Sequence, residues 1–151
     1  GIPQLYYGDE IGMFANKSVN DGALRQNFPG GCPGDKNNAF TAEGRTELQA
    51  QYHDYTRRLL NWRKGNETVC YGSLVQFTVR DGVYVYARVK DGKTVTIVAN
   101  GTSKPVKAKS YIYKEVLPAG QAYDVISGNT VTFGEEIELA PKQIMILDFT
   151  K

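Results

Sequence analysis

The sequence predicts an α+β chain in which one β/α unit is followed by an antiparallel all-β sandwich. Three observations carry that prediction. A β-prone run, Ile2 and Leu5 to Tyr7 with Gln4 between, ends in Gly8-Asp9-Glu10. An amphipathic stretch with helical spacing occupies residues 46–64, and from Tyr71 onward the apolar period drops from helical to two. The length, 151 residues at 41% hydrophobic content, suits one domain or a small domain with an appended element.

The opening run reads as a buried strand ending in a turn. Pro3 suits the head of a strand, where its missing N–H costs no ladder bond. Nothing precedes it to pair with or cap it, so residue 1 reads as a cut within a longer chain. Residues 14–44 carry five glycines, two prolines and five asparagines with no apolar period, which predicts one long loop. Loops of this length are usually functional. Phe14, Leu24, Phe28 and Phe40 punctuate it with side chains that favour burial, which argues against a disordered linker.

A helix is predicted to start at Thr46-Glu47-Leu48-Gln49, a capping box in which hydroxyl and amide satisfy two orphan N–H groups reciprocally. Leu48, Tyr52, Tyr55, Leu59 and Trp62 then fall on one stripe. Arg57, Arg58, Arg63 and Lys64 load the C-terminal turns, where the helix dipole favours cations, and Gly65 stands where a left-handed cap is wanted.

Alternation then takes over. Val83, Val85, Ala87 and Val89 interleave with Tyr84, Tyr86 and Arg88; Val95, Ile97 and Ala99 interleave with Thr94, Thr96 and Val98. Asp81-Gly82 and Asp91-Gly92 read as hairpin turns. Further strands are predicted at Tyr111–Leu117, Ala122–Ile126, Asn129–Phe133, Glu136–Leu139 and Gln143–Thr150. Seven or eight short strands at this spacing indicate a sandwich.

The segment Gly1-Ile2-Pro3-Gln4-Leu5-Tyr6-Tyr7-Gly8-Asp9-Glu10-Ile11-Gly12-Met13 resembles the end of the catalytic barrel in the α-amylase family of glycoside hydrolases. The resemblance continues through Asp21-Gly22-Ala23-Leu24-Arg25, Phe28-Pro29-Gly30-Gly31 and Pro33-Gly34-Asp35, as in neopullulanase-like and cyclomaltodextrinase-like members. Beyond about residue 66 it is one of architecture, since that family follows its barrel with an all-β domain. It implies that residues 1–66 are the last strand, loop and helix of a TIM (β/α)8 barrel, and that residues 67–151 are a C-terminal β-sandwich. It also places the loop on the face where such barrels form their active sites.

Retaining glycoside hydrolysis needs a nucleophilic carboxylate and an acid about 5 to 5.5 Å apart. In the resembled family these lie on earlier strands, with a third aspartate in an Asn-His-Asp motif before the segment that opens this chain, so no catalytic residue is expected here. His53-Asp54 follows Tyr52 and falls within the helical stripe, which makes it a helix surface feature. Asp9 and Glu10 end a strand, but neighbouring side chains there diverge, and the family uses the turn structurally. The residues expected to touch substrate are Asp21 and Arg25, whose D-x-x-x-R spacing resembles a pair that holds the bound glucan in neopullulanase-like members. Gly22 stands where those members commonly have proline, and a local ion pair shaping the loop is the competing account.

No cofactor or metal site is expected, because Cys32 and Cys70 have no third ligand at suitable spacing and read as unpaired thiols. Eighteen basic against sixteen acidic residues, net +2 with no run of like charge, argues against nucleic acid or an anionic membrane as partner. Asn66-Glu67-Thr68 and Asn100-Gly101-Thr102 match the glycosylation acceptor pattern. Localisation is not readable. The reading is the C-terminal region of a hydrolase acting on α-glucans or maltooligosaccharides, inactive alone, with self-association through an unpaired barrel strand. The alternative is a non-catalytic carbohydrate-binding or interaction sandwich, favoured if aromatic side chains, Trp62 among them, stand on the sandwich.

Overall fold

The computed structural model describes residues 3–150. It divides into two compact units, Gly1–Leu60 and Asn61–Lys151, with the division inside the long helix.

In the first unit Pro3–Tyr6 is irregular, which corrects the expectation of a strand there; Ile2 lies outside the described residues. A strand exists through its ladder, and among the described residues the eight strands all pair with one another. Leu5, Tyr6 and Tyr7 are accordingly exposed. The turn that follows is well determined by its own chemistry. Gly8 and Gly12 flank a short 3-10 helix, Asp9–Ile11, both in the left-handed region at φ 91° and 66°. A Cβ at Gly12 would sit 2.7 Å from the Tyr52 ring, so the turn and the long helix meet at a position only glycine fits.

Residues 14–44 form the long loop, interrupted only by α1 (Asp21–Leu24). Its backbone is held by side chains: the Asp35 carboxylate accepts from Gly30 N (2.8 Å) and Cys32 N (3.0 Å), and the Arg45 guanidinium donates to Ala39 O and Phe40 O. Burial of its apolar residues is not achieved. Phe14 and Phe40 are 90% and 62% exposed, although the Phe28 and Phe40 rings stack at 4.4 Å. Among the described residues of this unit the buried apolar side chains are Ile11 and Ala39, so there is no core for the others to enter.

The long helix α2 (Glu47–Lys64) begins at the capping box: Thr46 N donates to Gln49 Oε1 (2.9 Å) and Gln49 N to Thr46 Oγ1 (3.3 Å). The first three members of its apolar stripe, Leu48, Tyr52 and Tyr55, are exposed. Gly65 does not adopt a left-handed cap. Instead Asn66 starts a second helix, α3 (Glu67–Tyr71), its side chain accepting from Val69 N (3.0 Å).

In the second unit eight strands follow: β1 (Ser73–Gln76), β2 (Val83–Lys90), β3 (Lys93–Asn100), β4 (Val106–Lys109), β5 (Gly120–Asp124), β6 (Asn129–Phe133), β7 (Glu136–Leu139) and β8 (Ile144–Asp148). Six form an antiparallel sheet in the order β1-β2-β3-β8-β5-β6, and β4 with β7 forms the second layer. Both hairpins adjoining β2 turn as predicted, with Asp81-Gly82 at φ 49° and 77° and Asp91-Gly92 at 51° and 75°. The alternation of β2 buries Val83, Val85 and Ala87 against Ala108, Ile137 and Leu139 of the second layer.

The strand expected at Tyr111–Leu117 is instead a 3-10 turn, Ser110–Tyr113, with a following loop. Tyr113, Val116 and Leu117 bury at spacings of three and four, and Val116 N and Leu117 N both donate to Tyr113 O. The apolar period was helical there, and β4, just before it, is the strand that the pattern conceals.

Candidate functional site

The loop end of the first unit places Asp21 and Arg25 at the two ends of α1. Asn20 caps it, its Oδ1 accepting from Ala23 N (2.9 Å), and Arg25 N donates to Gly22 O (3.1 Å). Both predicted residues are exposed, and no ion pair among the described residues joins them. The loop is tied to the opening turn by Tyr7, whose Oη donates to Gln26 O (3.0 Å). Tyr6 and Tyr7 pack with ring centroids 4.5 Å apart. Desolvation raises the Tyr7 phenol above its ordinary pKa, Tyr6 adds to the rise, and the charge of Arg25 opposes it. A carboxylate, a guanidinium and an aromatic pair therefore lie on neighbouring parts of one unit. That set offers acceptors, donors and apolar surface to a polyhydroxylated ligand.

It holds no acid or nucleophile pair. Asp9 Oδ2 accepts from Tyr6 N and Glu10 Oε2 from Gly8 N, each at 2.8 Å, so both carboxylates hold the turn. Asp54 pairs with Arg57 at 3.2 Å, and His53 Nδ1 lies 3.8 Å from Asp54. Among the described residues no group of three His, Cys, Asp or Glu side chains is placed to hold a metal. Cys32 and Cys70 are free and exposed. Neither glycosylation pattern presents its asparagine: Asn66 Nδ2 donates to Asp148 and Asn100 Nδ2 to Lys104 O and Ala140 O.

A second polar arrangement sits in the other unit. Asp148 of β8 is fully buried; its Oδ2 accepts from Trp62 Nε1 and Asn66 Nδ2, both at 3.1 Å, and its Oδ1 from Thr150 N (2.9 Å). Trp62 belongs to α2, as predicted, but its indole reaches β8 rather than staying with the helix stripe. Sequence reasoning missed Asp148. The signal was an acid closing the apolar run Ile144-Met145-Ile146-Leu147, which needs a buried partner. The group borders an open cleft of about 480 Å³ between the end of α2, the start of α3 and the β2–β3 turn.

Residues 74–148 match the cyclo-malto-dextrinase C-terminal domain family, which defines the class of the sandwich. An α-amylase of Niallia circulans is 28% identical over 138 residues, covering 89% of this chain and 22% of that protein. A cyclomaltodextrin glucanotransferase of Paenibacillus macerans is 31% identical over 128 residues, 85% of this chain and 15% of its own length. The crystal structure of AmyP in complex with maltose superposes with a TM-score of 0.57 at 18% identity, over 69% of this chain and 21% of that one, a likeness of fold. Over most of its length the chain is thus similar to enzymes named α-amylase and cyclomaltodextrin glucanotransferase, and residues 74–148 carry the domain family. It spans less than a quarter of the length of these relatives.

Proposed function

We propose that this chain is the C-terminal region of a retaining hydrolase of α-glucans or maltooligosaccharides. Residues 1–66 supply the last strand, loop and helix of its catalytic barrel, and residues 67–151 supply its sandwich. The match of residues 74–148 to the cyclo-malto-dextrinase C-terminal domain carries the reading. The length of the relatives supports a larger enzyme around it, and the barrel neighbours of that enzyme would supply the ladder that Pro3–Tyr7 lacks. In it the acid and nucleophile come from other strands, and the chain alone neither hydrolyses nor transfers. Asp21 and Arg25 hold substrate hydroxyls, the carboxylate accepting and the guanidinium donating, as charge-assisted bonds. Their exposure and the lack of an ion pair between them leave both free for that task.

Asp21→Ala and Arg25→Ala in the full-length enzyme should each weaken kcat/KM for maltooligosaccharides by about 1 to 3 kcal/mol with little change in melting temperature. Lost stability with unaltered kinetics would assign the pair to the loop and overturn the role in binding.

A further inference from the structure

We propose that the cleft beside Asp148 is a second, non-catalytic site for a neutral glucan segment; the choice of sugar rests on the α-glucan reading above. The cleft volume, about 480 Å³, falls within the ~300–1,000 Å³ of small-molecule sites. Its lining is polar and balanced in sign. Lys90 bridges Glu67 (3.3 Å) and Asp91 (2.7 Å), and Lys93 and Asp148 add one group of each sign. No excess of cationic groups draws an anion there, and polar surface exceeds apolar on the cleft wall.

The one flat apolar element is Trp62. Its N–H is already given to Asp148, and both oxygens of Asp148 are occupied by Trp62, Asn66 and Thr150. What remains for a ligand is the carbon surface of the indole, held in one orientation by that bond, with the side chains of Asn61 and Lys93 exposed on the cleft wall. Apolar C–H surface with amide and ammonium donors is the combination a sugar ring uses, one face apolar and its edge lined with hydroxyls. The geometry also revives the carbohydrate-binding alternative in a narrower form, since Trp62 reaches the sandwich after all.

Trp62 is the single tryptophan of the chain, so its fluorescence and its one indole Nε1–H resonance report this cleft alone. Titration of the 151-residue chain with maltopentaose should shift both signals saturably. Asn61→Ala and Lys93→Ala should each raise the apparent Kd about fivefold, the effect of one lost hydrogen bond, without moving the melting temperature. The absence of a saturable shift would overturn the proposal, as would indifference to both substitutions or an equal response to inorganic phosphate. The kinetics of Asp21→Ala in the full-length enzyme do not pass through Trp62. If they fall as expected while the indole stays silent, this inference alone fails; if the kinetics are unchanged and the indole still responds, the cleft stands without the binding role given to Asp21 and Arg25.

Discussion

The two units solve the same problem, where to put backbone N–H and C=O groups, in opposite ways. Residues 61–150 satisfy them mostly in ladders, and the side chains that the ladders leave inward make a core that includes Val83, Val85, Val98, Leu139 and Leu147. Residues 3–45 satisfy them one at a time, through isolated turn bonds and through the side chains of Asp9, Glu10, Asn20, Asp35, Asn38 and Arg45. Each such bond is net modest, about 0.5–1.5 kcal/mol, and brings no burial with it. The difference teaches that a loop can be fully specified in shape and still contribute little stability.

The comparison breaks most visibly in the core. Leu147→Ala, at a position with no exposure, should cost about 2–5 kcal/mol in chemical denaturation. Phe14→Ala, by contrast, should leave the midpoint unchanged. A comparable loss from Phe14→Ala would show that the loop carries buried surface after all.

Hydrogen exchange sharpens the same contrast without mutation. Amides of β2 and β3 should exchange at the rate of global unfolding, whereas those of residues 3–45 should exchange by local opening, many orders faster. Uniform protection in a proven monomer would refute the distinction.

A middle-sized effect is expected from the one buried carboxylate of β8 that α2 and α3 reach. Asp148→Ala leaves the part-buried Trp62 N–H and an Asn66 N–H without that partner, a loss of about 1–3 kcal/mol. Asp35→Ala removes two bonds that are no longer than those, yet from backbone groups at exposed positions, so water replaces them. A thermal melt of both variants should separate them clearly, and equal shifts would contradict the account.

The smallest effect belongs to Lys90 and Asp91. The hydrogen bond to Asp91 first, and that to Glu67 second, raises the Lys90 pKa; the bond from Lys90 lowers that of Asp91. The contribution of Lys90 is present below the ordinary lysine value and lost as pH rises through its raised one. That of Asp91 is present above the ordinary aspartate value and lost as pH falls through its lowered one. Asp91 is exposed and Lys90 partly so, and solvent screens the pair; Asp91→Asn should therefore scarcely move the melting temperature at neutral pH and should flatten only the two outer limbs of the pH profile.

What was legible in the sequence is what neighbours in sequence decide. Thr46 and Gln49 are three apart, Asp81-Gly82 and Asp91-Gly92 are adjacent, and all of them behave as their local chemistry requires. Ile137 and Leu139 alternate with Glu136 and Glu138, and that strand forms. The misreadings depend on distant partners. Leu5 to Tyr7 have strand composition but no ladder among the described residues, and the Trp62 bond to Asp148 spans 86 positions. Tyr111–Leu117 failed for another reason: β-prone residues there are set at a helical spacing, and burial follows the spacing. Of the candidate site, the position of Asp21 and Arg25 on an exposed loop was readable, but the tie between Tyr7 and Gln26 that adjoins them was not.

The place of β8 has a consequence for how the polypeptide is made. This strand follows all the others in the sequence, yet it lies between β3 and β5 in the middle of the six-stranded sheet. Until residues 144–148 have left the ribosome, β1–β2–β3 and β5–β6 are two separate antiparallel pieces, each with an open edge where the other should be. Synthesis therefore cannot complete this domain gradually from its beginning. The sheet closes in one late step, and a nascent chain stalled before Ile144 presents two adhesive edges to whatever lies nearby.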